Sequence, residues 1–407
     1  MQELFWFLPE WPPLLGDLVV FGALLVAGLL GGELVNRWLG LPRITGYVLS
    51  GVAFGPHALG LVQAPMLDDT RVVVDLALGL IMFELGSRLD AEWLSRNRWL
   101  FLAALAESLG AFFAIYAGLL WFGYPPLLAG CAAAVGTATS PAVVSLVAYE
   151  LRASGQITER MLLFTAVNCA VAFVALMLLL PLVHLEHRAD WRSALLHPMY
   201  LLFGAALLGF FACQLMLVIA RWLGKREDRQ FVLLMAFIVL VVGIARSVEV
   251  TVVVALLTLG VLARNLDTDH VLLPLRFGYA GQALFVILFV ITGASLDFGL
   301  LAPASAVAAA FIVLRFLGKA AAILAFGGIS GLRPGGAGLL SLSLLPMSGL
   351  AVIMVWDTAV LYPSFGMELA AVVLSAVTIL ELFGPLATQI ALKLAGEASA
   401  ESTKPPA

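Results

Sequence analysis

Two stretches of this chain put helix-breaking residues beside hydroxyl groups in sequence that is otherwise apolar. CAAAVGTATSPAVVSLVAYE carries Gly136, Thr137, Thr139 and Ser140 just ahead of Pro141, and LLSLSLLPMSGLAVIMVW carries Pro346, Ser348 and Gly349 near its centre. Proline removes an intrahelical hydrogen bond and clashes with the preceding turn. The freed backbone groups are tolerable at membrane depth only against protein or a watery cavity. Two such breaks at comparable places in two parts of a chain point to a small-ion site near the bilayer midplane. The plainer alternative is a pair of ordinary proline kinks.

Ionisable and amide side chains add to this pattern. Asn168 and Cys169 follow Thr165 by one turn in MLLFTAVNCAVAFVALMLLL. A lone amide at that depth reads as packing glue between helices, worth less than about 1–2 kcal/mol. Lys319, inside FIVLRFLGKAAAILAFGG, is a stronger signal, because a charge well inside a span is costly and marks function by default. Arg315, one turn away, is expected to snorkel to the nearer end. Carboxylates near or within apolar runs are Glu33, Asp75, Glu84, Glu107, Glu249, Asp357 and Glu381. Glu84 and Glu107 are the deeper ones, read as proton carriers or as hydrogen-bonding partners for a neighbouring helix.

The elements that position these groups follow from composition. Of 407 residues, 62% are hydrophobic and only 12% are charged, about half the charge of a soluble domain. The chain is therefore read as an all-α polytopic membrane protein, with no role in binding nucleic acid. Apolar runs lie near 14–35, 41–62, 71–88, 99–122, 126–149, 160–183, 196–221, 230–246, 249–264, 276–296, 302–328, 336–361 and 367–393, each near spanning length if tilted. With thirteen spans, sixteen of the 22 Lys and Arg residues fall on one side and four on the other, leaving Arg315 and Lys319 inside. That asymmetry puts the N-terminus outside and the C-terminus in the cytoplasm, in an inner-membrane topology. The first span lacks a basic residue ahead of it and is expected to be retained. Residues 1–394 read as one transmembrane domain and 395–407 as a short disordered tail. The longest outer loop, His184–Pro198, carries three of the five histidines and reads as a solvated loop. The spacing of Cys and His suggests no transition-metal site, and no nucleophile–base set or cofactor motif suggests an enzyme.

In order and spacing, several motifs resemble the monovalent cation:proton antiporters, including sodium/proton exchangers and potassium-efflux antiporters. They are LGLPRITGYVLSGVAFGPHALGL at 39–61, LALGLIMFELGSRLD at 76–90, GTATSPAVVSLVAYEL at 136–151, LLTLGVLARN at 256–265, LFVITGASLDF at 288–298 and LRFLGKAAA at 314–322. The resemblance implies about thirteen helices in inverted repeats, a homodimer, a mobile core, and two broken helices crossing through Thr137–Pro141 and Pro346–Gly349. It implies a monovalent cation and a proton as the transported species, with an ion site formed by Thr137, Thr139, Ser140, Asn168, Cys169, Lys319 and Ser348.

In one place the chain departs from that pattern. The family's Asn-Asp or Asp-Asp pair falls on Asn168 and Cys169, so a thiol occupies the position of the ion-binding carboxylate. A neutral thiol beside a neutral Lys319 is then the expected resting state, with weak sodium-coupled exchange. The alternatives are a transport-inactive membrane sensor or an anion carrier. Either Glu84 or Glu107 facing the crossing favours cation transport.

Overall fold

The structure is a computed structural model, and it describes residues 17–56, 58–62, 64–188, 191–267, 271–272, 278–296, 301–347 and 349–399. Sixteen helices lie among them. The first eight are α1 (Asp17–Leu39), α2 (Arg43–Phe54), α3 (Ala64–Ser87), α4 (Ala91–Arg96), α5 (Arg98–Trp121), α6 (Pro126–Thr137), α7 (Pro141–Glu150) and α8 (Gln156–Arg188). The second eight are α9 (Trp191–Leu223), α10 (Glu227–Ser247), α11 (Val252–Leu266), α12 (Gly278–Ala294), α13 (Leu301–Gly327), α14 (Pro334–Ser343), α15 (Gly349–Leu361) and α16 (Pro363–Leu394). Eight helical stretches are long and apolar enough to cross a membrane, with α6 and α7 taken as one.

Both breaks form where the sequence places them. Proline lacks the N–H that a first helical turn leaves unpaired, so Pro141 starts α7 comfortably. The residue before proline is pushed to extended backbone, and Ser140 has φ −67° and ψ 108°. Residues 138–140 thus separate α6 from α7, and the stretch around Pro346 separates α14 from α15.

The helices pack in two groups. One contains α5 to α8 with α13 to α16, and the other α1 to α3 with α9 to α12. Close approach inside the first group depends on small residues. A Cβ on Gly110 of α5 would lie 2.6 Å from the Gly318 carbonyl oxygen, and one on Gly318 of α13 would lie 2.4 Å from that of Gly110. Only paired glycines let these backbones touch, which brings Glu107 and Lys319 face to face. Between the groups, on the Arg-rich face, opens a cavity of about 1190 Å³ lined by Tyr47, Glu84, Ser145, Glu150 and Leu162 among others.

The expected His184–Pro198 loop is mostly helix, because α8 runs to Arg188 and α9 begins at Trp191. Hydrogen-bonded backbone continues past the first charged residue as a helix leaves the lipid, whereas an apolar run stops there. The first residues of the tail are also in place. The Glu397 carboxylate accepts the Ile157 and Thr158 N–H groups, both at 2.7 Å, capping the start of α8.

Candidate functional site

The two breaks touch through their extended segments. Ser140 N–H donates to the Pro346 carbonyl at 3.0 Å, and the Thr139 hydroxyl to the Leu344 carbonyl at 3.3 Å. Spans five and twelve therefore meet as the sequence predicts. Ser348 lies outside the described residues. Thr139 is the hydroxyl that faces the junction. Thr137 turns its own hydroxyl back to Ala133 O at 3.0 Å, and Ser140 Oγ accepts the Val143 N–H at 3.3 Å as the cap of α7.

Around this junction sits a dry polar cluster. Lys319 Nζ donates to Glu107 Oε1 at 2.5 Å, to Thr137 O at 3.2 Å and to Thr139 Oγ at 3.3 Å. Its side chain is 1% exposed, and that of Glu107 is 0% exposed. Asn168 Nδ2 donates to Thr139 Oγ at 3.0 Å and reaches Glu107 Oε1 at 3.4 Å, while Ser108 Oγ donates to Asn168 Oδ1 at 2.6 Å. The second carboxylate oxygen, Glu107 Oε2, is buried without a hydrogen-bond partner. A buried acceptor left unmade is costly, and an orphan anionic oxygen is suited to a cation.

This overturns the expected Lys319–Cys169 partnership. The lysine is ion-paired to Glu107 from α5, and the Cys169 thiol instead donates to the Thr139 carbonyl at 3.4 Å. The carboxylate at the junction comes from α5, not from the Asn168–Cys169 position of α8. Glu84 is not part of the cluster. It pairs with Arg88 at 3.0 Å and lines the large cavity.

Arg315 is the residue that the sequence reading misplaced. It does not snorkel but is 0% exposed. Its guanidinium donates to Gly136 O at 2.7 Å, Ala138 O at 2.8 Å, Leu345 O at 2.7 Å and Pro346 O at 3.3 Å. These are the carbonyls that the two breaks set free, and the negative ends of two half-helix dipoles lie among them. One planar cation with five donors thereby satisfies both breaks. The two breaks also divide the labour. The first supplies Thr139 and the Thr137 carbonyl to the cluster, while the second, among the described residues, offers backbone oxygens to Arg315, Thr139 and Ser140. Gly384 of α16 packs on Pro346, and Thr388 of α16 donates to Ser343 O at 3.0 Å, steadying the second break from behind.

Comparison with known proteins agrees with this architecture. Two structures of the sodium proton antiporter MjNhaP1 from Methanocaldococcus jannaschii superpose on the chain. The one at pH 8 has a TM-score of 0.63 and 14% identity, over 93% of this chain and 95% of that one. The electron-microscopy structure has a TM-score of 0.62 and 18% identity, over 93% and 97%. At such identities the likeness establishes the fold. No curated protein matches the sequence. The model of the sodium/hydrogen exchanger transmembrane family matches residues 21–394. With nearly its whole length covered, the chain belongs to the sodium/hydrogen exchanger family, a family of membrane antiporters rather than enzymes.

Proposed function

We propose that the protein exchanges a monovalent cation for a proton across the membrane, with Glu107 as the carboxylate for which the cation and the protonated Lys319 compete. The observation that carries this reading is the buried Lys319–Glu107 pair at the junction of the two breaks, with Glu107 Oε2 unpartnered beside it. A cation arriving at Glu107 meets its carboxylate and Thr139 Oγ as hard oxygen donors, while Asn168 holds Thr139 in place through Nδ2. The cation's charge replaces that of the ammonium, so Lys319 gives up a proton. When the cation leaves, Lys319 takes a proton and pairs with Glu107 again. The cluster stays neutral in either state, since charge desolvated without a partner is expensive. One cation then moves against one proton.

Access is from the large cavity, whose lining reaches Leu162 on α8, six residues or about 9 Å of helix from Asn168. The reading includes thirteen crossings in inverted repeats, a homodimer, and an inner-membrane topology with the Arg-rich face and the C-terminus in the cytoplasm. An anion carrier is disfavoured, because the Arg315 charge is absorbed by carbonyls and that of Lys319 by Glu107. The test is reconstitution into proteoliposomes with a pH-sensitive dye, adding sodium, potassium or lithium in turn. One of these is expected to drive proton movement, and silence with all three overturns the proposal.

A further inference from the structure

A second cavity, of about 310 Å³, lies on the Arg-rich face away from the ion cluster. It is lined by Trp93 and Arg96 of α4, Asn97, Trp99 of α5, Arg160 of α8 and Ser330 of the turn after α13. Arg160 is 7% exposed, and its Nη1 and Nη2 donate to Ser330 Oγ and Ser330 O, both at 2.6 Å. These are neutral oxygens, and among the described residues no carboxylate pairs with this guanidinium. A charge so deeply buried ordinarily has an ionic partner. Glu159 also lines the cavity, but its side chain is 69% exposed and stands 3.9 Å from Arg88. Arg96 is exposed at the opening, and its intrahelical contact with Glu92 is too wet to hold it there.

We propose that this cavity binds the phosphate group of an anionic membrane lipid. Guanidinium forks match phosphate oxygens in geometry and charge, and Arg160 and Arg96 approach the cavity from two helices. The choice of a lipid over a soluble phosphate rests on Trp93 and Trp99. Both rings are about half exposed at the rim, which is how tryptophan lies at headgroup level, and Arg98 sits over the Trp99 ring at 5.5 Å. No residue of α4 is buried, so this short helix lies on the surface beside the cavity. The cavity volume is at the low end for small-ligand clefts, sized for a headgroup while the acyl chains stay in the bilayer. Basic pockets on a cytoplasmic face are where anionic headgroups bind. The inference does not depend on the ion transported.

The experiment uses the full-length protein in nanodiscs of phosphatidylcholine alone or with phosphatidylglycerol, with the melting temperature as readout. Phosphatidylglycerol is expected to raise Tm by about 2–4 °C. Arg160→Gln is expected to abolish the rise and Arg96→Gln to halve it at least, whereas Arg226→Gln, on another basic loop, retains it. If Arg160→Gln does not fold, Arg96→Gln carries the test against Arg226→Gln. Equal shifts in Arg96→Gln and the native protein overturn the site. A rise of the same size when inorganic phosphate is added to phosphatidylcholine discs makes the ligand a soluble phosphate and overturns the lipid.

Discussion

The buried junction and the Arg-rich face use the same chemistry under opposite conditions. At the junction, Lys319, Glu107 and Arg315 are cut off from water. On the face, Arg43–Glu150, Arg88–Glu84 and Arg264–Asp90 join arginine side chains that are 36–47% exposed to carboxylates that are 11–29% exposed. A pair in water gains little, because solvent and salt screen it. A pair without water attracts far more strongly, and although desolvation offsets much of that gain, removing one partner is costly because it leaves a buried charge alone. The junction therefore holds charge that leaves only when another charge replaces it, which is the requirement for coupled exchange. The face holds pairs that part and re-form cheaply, and two of them, Arg43–Glu150 and Arg88–Glu159, bridge the two helix groups across the large cavity.

The largest effect is expected at Glu107. Glu107→Gln removes the competing carboxylate, and cation-driven proton movement in proteoliposomes falls to that of empty vesicles. It also leaves Lys319 buried beside an amide, with a stability loss of about 3–5 kcal/mol. Glu107→Gln combined with Lys319→Gln recovers much of the melting temperature while transport stays lost. Recovery of transport in the double variant would remove Glu107 from the mechanism.

Arg315 comes next, and its effect is on folding. Arg315→Leu orphans the carbonyls of Gly136, Ala138 and Leu345 and leaves that of Pro346 with the Ser140 N–H alone, at about 1–3 kcal/mol for each buried group left unmade. Little folded protein is expected by size-exclusion chromatography in detergent. Arg315→Lys keeps the charge but replaces a planar fork with a point donor, so it rescues part of the yield. A well-folded Arg315→Leu protein would mean that the two breaks stand without their shared clamp.

Cys169 separates the junction's present wiring from the family pattern. Cys169→Ser keeps a donor toward the Thr139 carbonyl, and transport is expected to change less than about twofold, since the thiol carries no charge to exchange. Cys169→Asp adds a second carboxylate to the cluster and is expected to raise the number of protons moved per cation, read as a new dependence of the dye signal on membrane potential. If Cys169→Ser abolishes exchange, a thiolate is the ligand and Glu107 is not.

What the sequence revealed of this site follows from the range of each interaction. The breaks were legible because proline and its flanking hydroxyls act within one turn. Glu107 was legible as a deep carboxylate but not as the partner of Lys319, because that contact depends on Gly110 meeting Gly318, more than two hundred residues away in sequence. Arg315 was open to a better reading. It lies at the middle of its apolar run, deeper than Lys319, and position within the run argued against snorkelling. Thr137 and Ser140 carry the right groups in sequence, but backbone geometry turns the Thr137 hydroxyl to Ala133 O and the Ser140 hydroxyl to the Val143 N–H.

The smallest effect tests the wet side of the comparison. Asp90 caps α4 by accepting the Trp93 N–H at 2.9 Å, and its other oxygen accepts from Arg264 at 2.8 Å. The Trp93 amide, followed by Arg264, holds this carboxyl below the usual carboxylate range. A carboxylate whose folded value is depressed stabilises above the unfolded value, near 3.9, and loses that contribution as pH falls through the lower folded value. The α4–α11 tie is therefore intact at neutral pH and weakens only below about pH 4. Asp90→Ala is expected to cost about 0.5–1 kcal/mol, seen as faster amide exchange confined to α4 with ion transport unchanged at pH 7. Asp90→Asn, which keeps the capping oxygen and loses the charge, should retain most of the protection at low salt. Should either variant impair transport as severely as Glu107→Gln, the division between a captive buried charge and an adjustable surface one would not hold for this molecule.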